Sequence, residues 1–286
     1  MERDTKSTPL VTIAIPIYNA EKYLRYAIQS CINQTYQNWE LLLMCDGSTD
    51  ASDKIAEEFS HVDKRIKFID DHANKGLPTR LNESIKMALG KYYARMDADD
   101  IMAVNRLDEE VKFLEFHPEV DVVGSSMMLI DGKNQIIGSS LSTNDSMFVH
   151  PSVMGKTSWF KSNPYDAKLF RSQDFDLWSR TKRFSVFANI EQPLLFYRTF
   201  GMPTTQKLLR SYKTMRYLHL NYKRYGRTCF WGYSNFILFG IKSFVLKFLS
   251  LINLQGFVIK ARRYKQVAIE QQLLDADLAQ SIKDCM

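Results

Sequence analysis

The sequence is poor in cysteine, with four in 286 residues, at Cys31, Cys45, Cys229 and Cys285. None forms a CxxC pair, so a structural zinc site is not expected, and sparse cysteine is typical of a reducing, cytosolic environment. The N-terminus is charged and is not followed by a short apolar export segment, which predicts that the chain is not secreted. No run reaches the ~18 uncharged apolar residues of a membrane-spanning helix.

Acidic residues are absent between Gln192 and Ile269, where the chain carries 14 lysines and arginines. The remaining residues hold 24 basic and 32 acidic side chains, so an acidic body carries a basic C-terminal segment. Such a segment is expected to meet an anionic partner. Nucleic acid is not the expected partner, because no groove-reading or base-stacking motif accompanies the charge.

Apolar runs alternate with amphipathic stretches through the first hundred residues. Strands are expected at 10–17, 41–45, 65–69 and 91–96, and helices at 21–34, from a cap at 50 or 52 to 59, and at 77–89 with Gly90 at the end. This order predicts an α/β protein of the Rossmann-like kind, with a mostly parallel sheet flanked by helices. Ligands of such sheets bind at the carboxyl ends of strands, where Asp46 and Asp97 stand.

The pattern continues with a helix at 104–116, a hairpin formed by 121–130 and 135–138, and a helix start near Phe175. We expect the chemistry to lie before about residue 200. The predicted organisation is a catalytic domain over 1–200 and a basic, aromatic-rich helical region over 201–286.

Three carboxylates within four residues form the sharpest feature, Asp97, Asp99 and Asp100. They repel one another unless a cation joins them, and a hard divalent ion such as Mg²⁺ or Mn²⁺ prefers oxygen ligands. Such an ion also leaves coordination positions for phosphate oxygens. The alternative is an aspartate-rich turn followed by a capped helix.

Four further groups are ambiguous when taken alone. Asp46 is either an acceptor for a nucleobase N–H or part of an ordinary strand-to-helix turn. Lys75 begins a helix that leads to Arg80, a place that suits phosphate or ribose but also a solvated loop. Asp174 is either a general base or a helix cap. His150 is either a structural side chain or a contact to metal or acceptor.

Five segments, read in order, resemble family 2 glycosyltransferases with the GT-A fold. They are IAIPIYN at 13–19, DGSTD at 46–50, NKGLPTRLNESI at 74–85, ARMDADDI at 94–101 and QDFDLWSR at 173–180. The resemblance covers residues 9–200, and the ordered set is far more specific than any one piece. It implies inverting transfer of a sugar from a nucleotide-diphosphate donor, with UDP the expected nucleotide and Mn²⁺ or Mg²⁺ the cofactor.

The resemblance also implies roles for single residues. Donor contacts are implied for Pro16, Tyr18, Asn19, Asp46, Lys75, Arg80, Asp97 and Arg198. Metal contacts are implied for Asp99 and Asp97, and a metal-side or acceptor-side contact for His150. Asp174 matches the catalytic base, and Arg198 resembles a position after which a mobile loop folds over the donor.

Three positions depart from the family's pattern. Cys45 stands where an Asp often precedes the Asp-Gly-Ser run, Gln173 replaces a frequent Glu before the base, and Val104 replaces a common Pro. The base pocket is the feature that Cys45 puts in doubt. The implied mechanism is unaffected, because Asp174 itself is present.

Residues 229–259 are rich in Phe, Leu and Ile, and Lys242 and Lys247 interrupt them. This pattern predicts an interfacial amphipathic helix with its lysines towards lipid head groups, the alternative being a helix pair packed on the core. Anionic polyprenyl-diphosphate-linked acceptors lie at such surfaces. We therefore expect a cytoplasmic enzyme, peripheral on the inner face of the plasma membrane, that builds a bacterial surface polysaccharide such as O-antigen or capsule.

Two other classes of protein remain alternatives. A sugar-phosphate nucleotidyltransferase also uses a metal on an α/β sheet, but it would carry a Gly- and Arg-rich phosphate loop, which residues 16–20 do not form. A non-catalytic nucleotide-sugar-binding protein would often have lost Asp99 or Asp174, and both are present.

Overall fold

The computed structural model describes residues 8–140, 148–169, 171–200 and 205–251. These residues fall into two compact units. The first runs to Pro164 and takes up Ser185–Thr199, and the second holds Tyr165–Phe184 and the described residues from Phe200 onward. The assignment of 1–200 as the catalytic domain stays a prediction.

The first unit contains nine strands and five helices among its described residues. The strands are β1 (Val11–Ile17), β2 (Trp39–Cys45), β3 (Ile66–Ile69), β4 (Tyr92–Arg95), β5 (Ile101–Met102), β6 (Val122–Ile130), β7 (Ile136–Ser140), β8 (Met154–Lys156) and β9 (Phe187–Arg198). The helices are α1 (Leu24–Ile32), α2 (Ser52–Val62), α3 (Leu77–Met87), α4 (Arg106–Phe116) and α5 (Thr157–Ser162). A short 3₁₀ turn spans His150–Ser152.

One sheet joins these strands in the order β3-β2-β1-β4-β8-β6-β9-β5, and β7 pairs with β6. The strands β3, β2, β1 and β4 are mutually parallel, and Ile13 of β1 lies opposite both Leu41 and Ala94. Beyond β4 the pairing is mixed, with β8 antiparallel to β4 and β6, and β9 parallel to β6. The predicted α/β class is confirmed, and the antiparallel pairings are an addition to it.

The core lies on both faces of the parallel strands. Every residue of β2, and all of β1 except Pro16, is buried, as expected for strands covered by helices on both sides. The apolar faces of α1, α2 and α4 supply most of the remaining core side chains. This packing fixes the ends of β1, β2 and β4, from which the candidate site is built.

Gly90 does not end helix α3, contrary to the prediction from sequence. The helix ends at Met87, and Gly90 lies against strand β1 instead. A Cβ atom at Gly90 would lie 2.6 Å from the backbone nitrogen of Thr12 and 2.7 Å from the carbonyl oxygen of Leu10. Glycine is required here for close approach of two backbones rather than for a helix cap.

The second unit is helical where it is described. It contains α6 (Gln173–Thr181), α7 (Thr205–Leu220), a 3₁₀ turn at Tyr222–Tyr225 and α8 (Cys229–Leu251). Leu208 and Tyr212 of α7 are buried with Leu246 of α8.

Helix α8 is long and apolar enough, by length and composition alone, to cross a membrane. The stretch Phe230–Leu251 has a mean hydropathy of 1.4 in its most apolar window, and only 6% of that window is buried. The sequence analysis predicted an interfacial helix within 229–259 rather than one able to span a membrane, because Lys242 and Lys247 interrupt the uncharged run.

Candidate functional site

The parallel strands bring the predicted acidic residues to one edge of the sheet. Strand β1 lies between β2 and β4, so the residues that follow all three strands share the carboxyl edge. Asp46 directly follows β2, and its backbone N–H donates to the carbonyl oxygen of Ile17 at 2.8 Å. The backbone N–H of Met96, next to Asp97, donates to the carbonyl oxygen of Ala14 at 3.1 Å.

Asp97, Asp99 and Asp100 form an acidic cluster at this edge. Each offers a carboxylate oxygen, and these oxygens lie within 4.8 Å of one another. Burial, and next the charge of Asp97, raise the pKa of Asp99 to about 6. Burial and the charges of Asp97 and Asp99 raise the pKa of Asp100 well above its usual range. The three carboxylates therefore carry unfavourable charge that a divalent cation would neutralise, and their oxygen chemistry fits Mn²⁺ or Mg²⁺.

Two buried arginines compensate part of this charge. Arg95, at the end of β4, is 2% exposed and forms an ion pair with Asp97. Arg198, at the end of β9, donates its backbone N–H to Oδ1 of Asp100 at 2.8 Å. The sequence analysis did not identify Arg95, although its place two residues before Asp97 on a strand puts both side chains on one face.

The guanidinium of Arg198 is bound by protein groups. Its Nε donates to the carbonyl oxygen of Asp99 at 2.7 Å, and its Nη1 donates to that of Asp131 at 2.6 Å. Its carbon Cζ lies 4.1 Å from the ring centroid of Tyr23 in the turn before α1. Arg198 thus ties the acidic turn to the β6–β7 hairpin, and its predicted contact with the donor stays a prediction.

Asp46 is buried and held by donors from the start of α3. Its Oδ1 accepts hydrogen bonds from the backbone N–H of Lys75 at 2.7 Å and from Nε of Arg80 at 3.0 Å. The backbone N–H of Gly76 donates to both oxygens, at 3.1 Å to Oδ1 and 3.0 Å to Oδ2. Within the described residues Oδ2 accepts only this one hydrogen bond, so it retains capacity for a ligand N–H.

Lys75 and Arg80 belong to an ionic network around Asp46. Arg80 is 1% exposed, and its Nη1 and Nη2 donate to Glu83 at 2.9 Å and Asp71 at 2.6 Å. The ammonium group of Lys75 pairs with the same two carboxylates. Both residues reach the site, but their side chains are engaged by carboxylates, so Arg80 acts first by orienting Asp46. Their contact with a nucleotide stays a prediction.

The residues after β1 form the other wall of the Asp46 turn. Asn19 has a left-handed backbone (φ 49°), and its Oδ1 accepts the backbone N–H of Thr49 at 2.8 Å. Its own backbone N–H donates to Oγ of Ser48 at 3.2 Å. Pro16 lies in β1, and the ring of Tyr18 is 55% exposed. An exposed aromatic ring held at this edge is suited to stacking on a nucleobase.

His150 is buried at the start of the 3₁₀ turn, and burial and the charge of Arg95 lower its pKa well below the usual value. It is not among the side chains that form the acidic cluster, so its predicted metal contact stays a prediction. The turn is held by Arg106, whose Nη1 donates to the carbonyl oxygen of Pro151 at 2.9 Å. Arg106 and Glu110 form a fully buried ion pair one helical turn apart. In a sequence, oppositely charged residues four apart usually indicate an ion pair on the exposed side of a helix, so the sequence analysis did not predict that this pair is buried.

Asp174 lies in the first turn of α6, in the second unit. The helix begins at Gln173 after Ser172, which has a left-handed backbone (φ 55°). Asp174 therefore lies inside the helix, and the alternative interpretation of Asp174 as the helix cap is wrong, because Ser172 holds the capping position. A carboxylate in the first turn is favoured by the helix dipole. The role of Asp174 as general base stays a prediction.

Asp176 anchors this helix within the second unit. It is fully buried, accepts a hydrogen bond from the hydroxyl of Tyr225 at 2.7 Å, and accepts another from Nε of Arg180 at 3.1 Å. Because Tyr225 lies in the 3₁₀ turn after α7, this contact joins the helix of Asp174 to the C-terminal helical region.

Known proteins are similar to this chain in sequence or in fold. The family model for glycosyl transferase family 2 matches residues 12–191. An uncharacterized glycosyltransferase of Haemophilus influenzae is 34% identical over 221 residues, which cover 70% of this chain and 68% of the relative. One of Methanocaldococcus jannaschii is 34% identical over 205 residues, which cover 66% of this chain and 71% of the relative.

Solved structures share the fold at low sequence identity. TarS of S. aureus (residues 1–349, in complex with UDP) matches with a TM-score of 0.59 and 18% identity, over 73% of this chain and 64% of that chain. The mannosyltransferase PcManGT of Pyrobaculum calidifontis, in complex with GDP-Man and Mn²⁺, matches with a TM-score of 0.62 and 14% identity, over 92% and 83%. The chain therefore has the GT-A fold. The chain belongs to glycosyl transferase family 2.

Proposed function

We propose that this glycosyltransferase moves a hexose, with inversion, from a nucleotide-diphosphate donor to a glycan or polyprenyl-diphosphate-linked acceptor. The observation that carries the proposal is the cluster of three carboxylates at the edge of the sheet where Asp46 also stands. A nucleotide diphosphate sugar needs both a metal for its phosphates and a polar acceptor for its base. In the sheet only strand β1 lies between β2, which leads to Asp46, and β4, which leads to the carboxylate cluster.

The donor's base is assigned to Asp46. Its Oδ2 has capacity to accept one further N–H, which uracil, thymine and guanine all present. Tyr18 and Asn19 flank the same turn. We propose UDP as the nucleotide of the donor. Because proteins of similar fold were solved with UDP and with GDP-Man, uracil and guanine nucleotides should both be tested as donors.

A divalent metal would be held by Asp99 and Asp97, with the more deeply buried Asp100 beside them. When bound, Mn²⁺ or Mg²⁺ supplies positive charge beside the leaving diphosphate. Arg95 fixes Asp97 by its ion pair, and Arg198 fixes the turn that carries Asp99. These contacts hold the carboxylates in one arrangement before the donor arrives, which lowers the cost of reorganisation.

Asp174 is assigned as the general base. It takes the proton from the acceptor hydroxyl as that oxygen forms a bond to the anomeric carbon. The bond from this carbon to the diphosphate oxygen breaks in the same step, and the diphosphate leaves with the bonding electron pair. A single displacement of this kind inverts the anomeric centre and needs no covalent enzyme intermediate.

We assign the acceptor to an anionic membrane surface, where lipid-linked diphosphates lie. The chain carries 14 basic and no acidic residues between Gln192 and Ile269, which favours anionic lipids and lipid-linked diphosphates. We place the protein on the inner face of the plasma membrane, in synthesis of a bacterial surface polysaccharide such as O-antigen or capsule.

A donor screen tests the transfer. The purified protein is incubated with Mn²⁺ and UDP-Glc, UDP-Gal, UDP-GlcNAc, UDP-GalNAc, GDP-Man or dTDP-Rha, with and without a lipid-diphosphate GlcNAc acceptor. We expect nucleotide release with one donor, at least 100-fold slower in Asp99→Asn and Asp174→Asn and unchanged in the exposed control Glu57→Gln. Nucleotide binding without release from any donor would contradict the catalytic assignment and favour a binding protein.

A further inference from the structure

Helix α8 carries a continuous apolar stripe on its exposed side. Its members are Phe230, Ile237, Ile241, Phe244, Phe248 and Leu251, all between 54% and 83% exposed. They recur at intervals of three, four and seven residues, so with 3.6 residues per turn they lie on one side of the helix along its whole length. Six large apolar side chains in a row exceed what scattered surface residues account for.

The opposite side of α8 packs inside the second unit. Leu246 is fully buried against Leu208 and Tyr212 of α7, and the rings of Phe239 and Tyr212 lie 5.9 Å apart. The helix is therefore apolar on two sides, and α7 occupies one of them. Within the described residues, the exposed stripe has no such partner.

Two lysines border the exposed stripe. Lys242 and Lys247 are both exposed. On a helix of 3.6 residues per turn they point roughly 120° and roughly 100° away from Phe248, on opposite sides. The apolar stripe thus has a positive charge on each flank, the arrangement of a helix whose lysines reach up to head groups while its apolar side enters the acyl region.

We propose that α8 lies in the plane of an anionic lipid bilayer, with the stripe inserted and Lys242 and Lys247 at the level of the lipid head groups. The charge on the flanks complements an anionic surface, and no acidic residue between Gln192 and Ile269 opposes it. This proposal deepens, and rests on, the proposed membrane partner of the transferase. It does not depend on the catalytic roles of Asp99 and Asp174.

Packing against α7 argues against a helix that crosses the bilayer. The guanidinium of Arg216 in α7 lies 4.3 Å from the ring centroid of Phe236, near the middle of α8. Lys242 is about 18 Å along the helix from Phe230, which is close to the midplane of a hydrocarbon core about 30 Å thick. A crossing α8 would place both charges deep in hydrocarbon, where they are costly. An in-plane α8 keeps both at the polar boundary.

Binding to vesicles tests the surface. The full-length protein is sedimented with vesicles of phosphatidylglycerol and phosphatidylcholine (1:1) or of phosphatidylcholine alone. We expect binding to the anionic vesicles, weakened at least about tenfold by Phe244→Glu, because a charge then replaces an inserted ring. The matched control is Phe184→Glu, which changes a side chain 68% exposed outside α8 and should bind as the wild type does. Lys242→Gln with Lys247→Gln should cost about 25-fold at low salt, or about fivefold per lysine.

Insertion depth distinguishes the in-plane from the crossing arrangement. Ile237→Trp, Phe244→Trp and Leu251→Trp are compared for fluorescence quenching by lipids brominated at different acyl positions, with the wild-type signal subtracted. An in-plane helix gives the same shallow depth for all three. A crossing helix over Phe230–Leu251 would put Ile237 and Phe244 each about 5 Å from the bilayer midplane and Leu251 about 16 Å from it, so the first two probes would be deep and the third shallow.

Each outcome decides the proposal. Deep quenching at Ile237→Trp and Phe244→Trp with shallow quenching at Leu251→Trp would overturn it in favour of a crossing helix. No binding to anionic vesicles, together with a dimer that Phe244→Glu dissociates, would overturn it in favour of a second copy of this chain on the stripe. If vesicles are not bound but sugar is transferred to a water-soluble acceptor, the inference fails while the transferase stands. If vesicles are bound in the plane but no donor is used, the inference stands and the proposed transfer fails.

Discussion

Replacing Arg198 by lysine tests whether this residue positions the turn of Asp99, where we propose that the metal binds, or contacts the donor. The substitution keeps the charge but removes the planar fork, so Nε and Nη1 can no longer both reach the carbonyl oxygens of Asp99 and Asp131. Losing one buried, charge-assisted hydrogen bond lowers the free energy of unfolding by about 2 kcal/mol. The stacking on Tyr23 is lost as well.

The expected effect on function is weaker metal binding, because Arg198 holds the turn that carries Asp99. The turn that carries Asp99 becomes looser, while Asp46, the proposed contact of the nucleobase, is untouched. We expect the apparent dissociation constant for Mn²⁺ to rise about tenfold, which corresponds to about 1.4 kcal/mol. The affinity for UDP measured in EDTA should be unchanged. Both are measured by titration calorimetry on the purified protein.

Arg65→Lys is the matched control for this experiment. Arg65 also makes paired hydrogen bonds, to Asp63, and its guanidinium also stacks on an aromatic ring, 3.7 Å from the centroid of Trp39. It lies away from the acidic cluster, so its replacement should lower stability without changing Mn²⁺ affinity. An Arg198→Lys protein with normal Mn²⁺ affinity but weaker UDP binding in EDTA would refute the positioning role and restore a direct donor contact.

Three further predictions follow from the site. Asp46→Asn replaces one carboxylate oxygen by an NH2 group, which donates and cannot accept the N–H of Gly76 or of a base, so UDP affinity should fall at least tenfold and the melting temperature should drop, as measured by calorimetry and thermal scanning. Tyr225→Phe removes a hydrogen bond to buried Asp176, so kcat should fall about tenfold with KM for the donor unchanged, whereas the exposed control Tyr233→Phe should leave both values alone. Asp99 has a pKa of about 6 in the fold against 3.8 as its ordinary value, so the folded state binds the extra proton and metal-free stability should fall as pH rises from about 4 to about 6. Mn²⁺ should therefore raise the melting temperature more at pH 7 than at pH 5, and an equal rise at both values would contradict this coupling.

Local sequence patterns were sufficient to predict most of the strands and helices in the first half of the chain. Strands β1 and β2 are mainly apolar, interrupted by Thr12 and Glu40, and the alternation with helices predicts both the parallel order and the shared edge of Asp46 and Asp97. Strands β5 and β8 have two and three residues, too few for any periodicity, and they exist because longer strands pair with them. Strand β9 is long, but Pro193 and polar residues obscure its pattern.

The ambiguous site residues depended on contacts distant in sequence. Asp46 was expected to face a nucleobase, and the structure adds that donors 29 to 34 residues away occupy one of its oxygens. Arg198 meets the acidic turn across 98 residues, and no spacing rule anticipates that contact. Carboxylates could be found from composition and strand ends, whereas the arginines that hold them required the fold.

The hydrogen bond between Tyr225 and Asp176 bears on how such enzymes are recombined. The helix of Asp174 lies in Tyr165–Phe184, and the chain then leaves the second unit for β9 before it returns to it. A chimera joined at a single point near residue 200 would keep α6 from one parent and take its anchor from the other. Exchange of the two segments together, with one junction after Pro164 and one at each end of β9, would transfer Asp174 and its anchor as one inherited module.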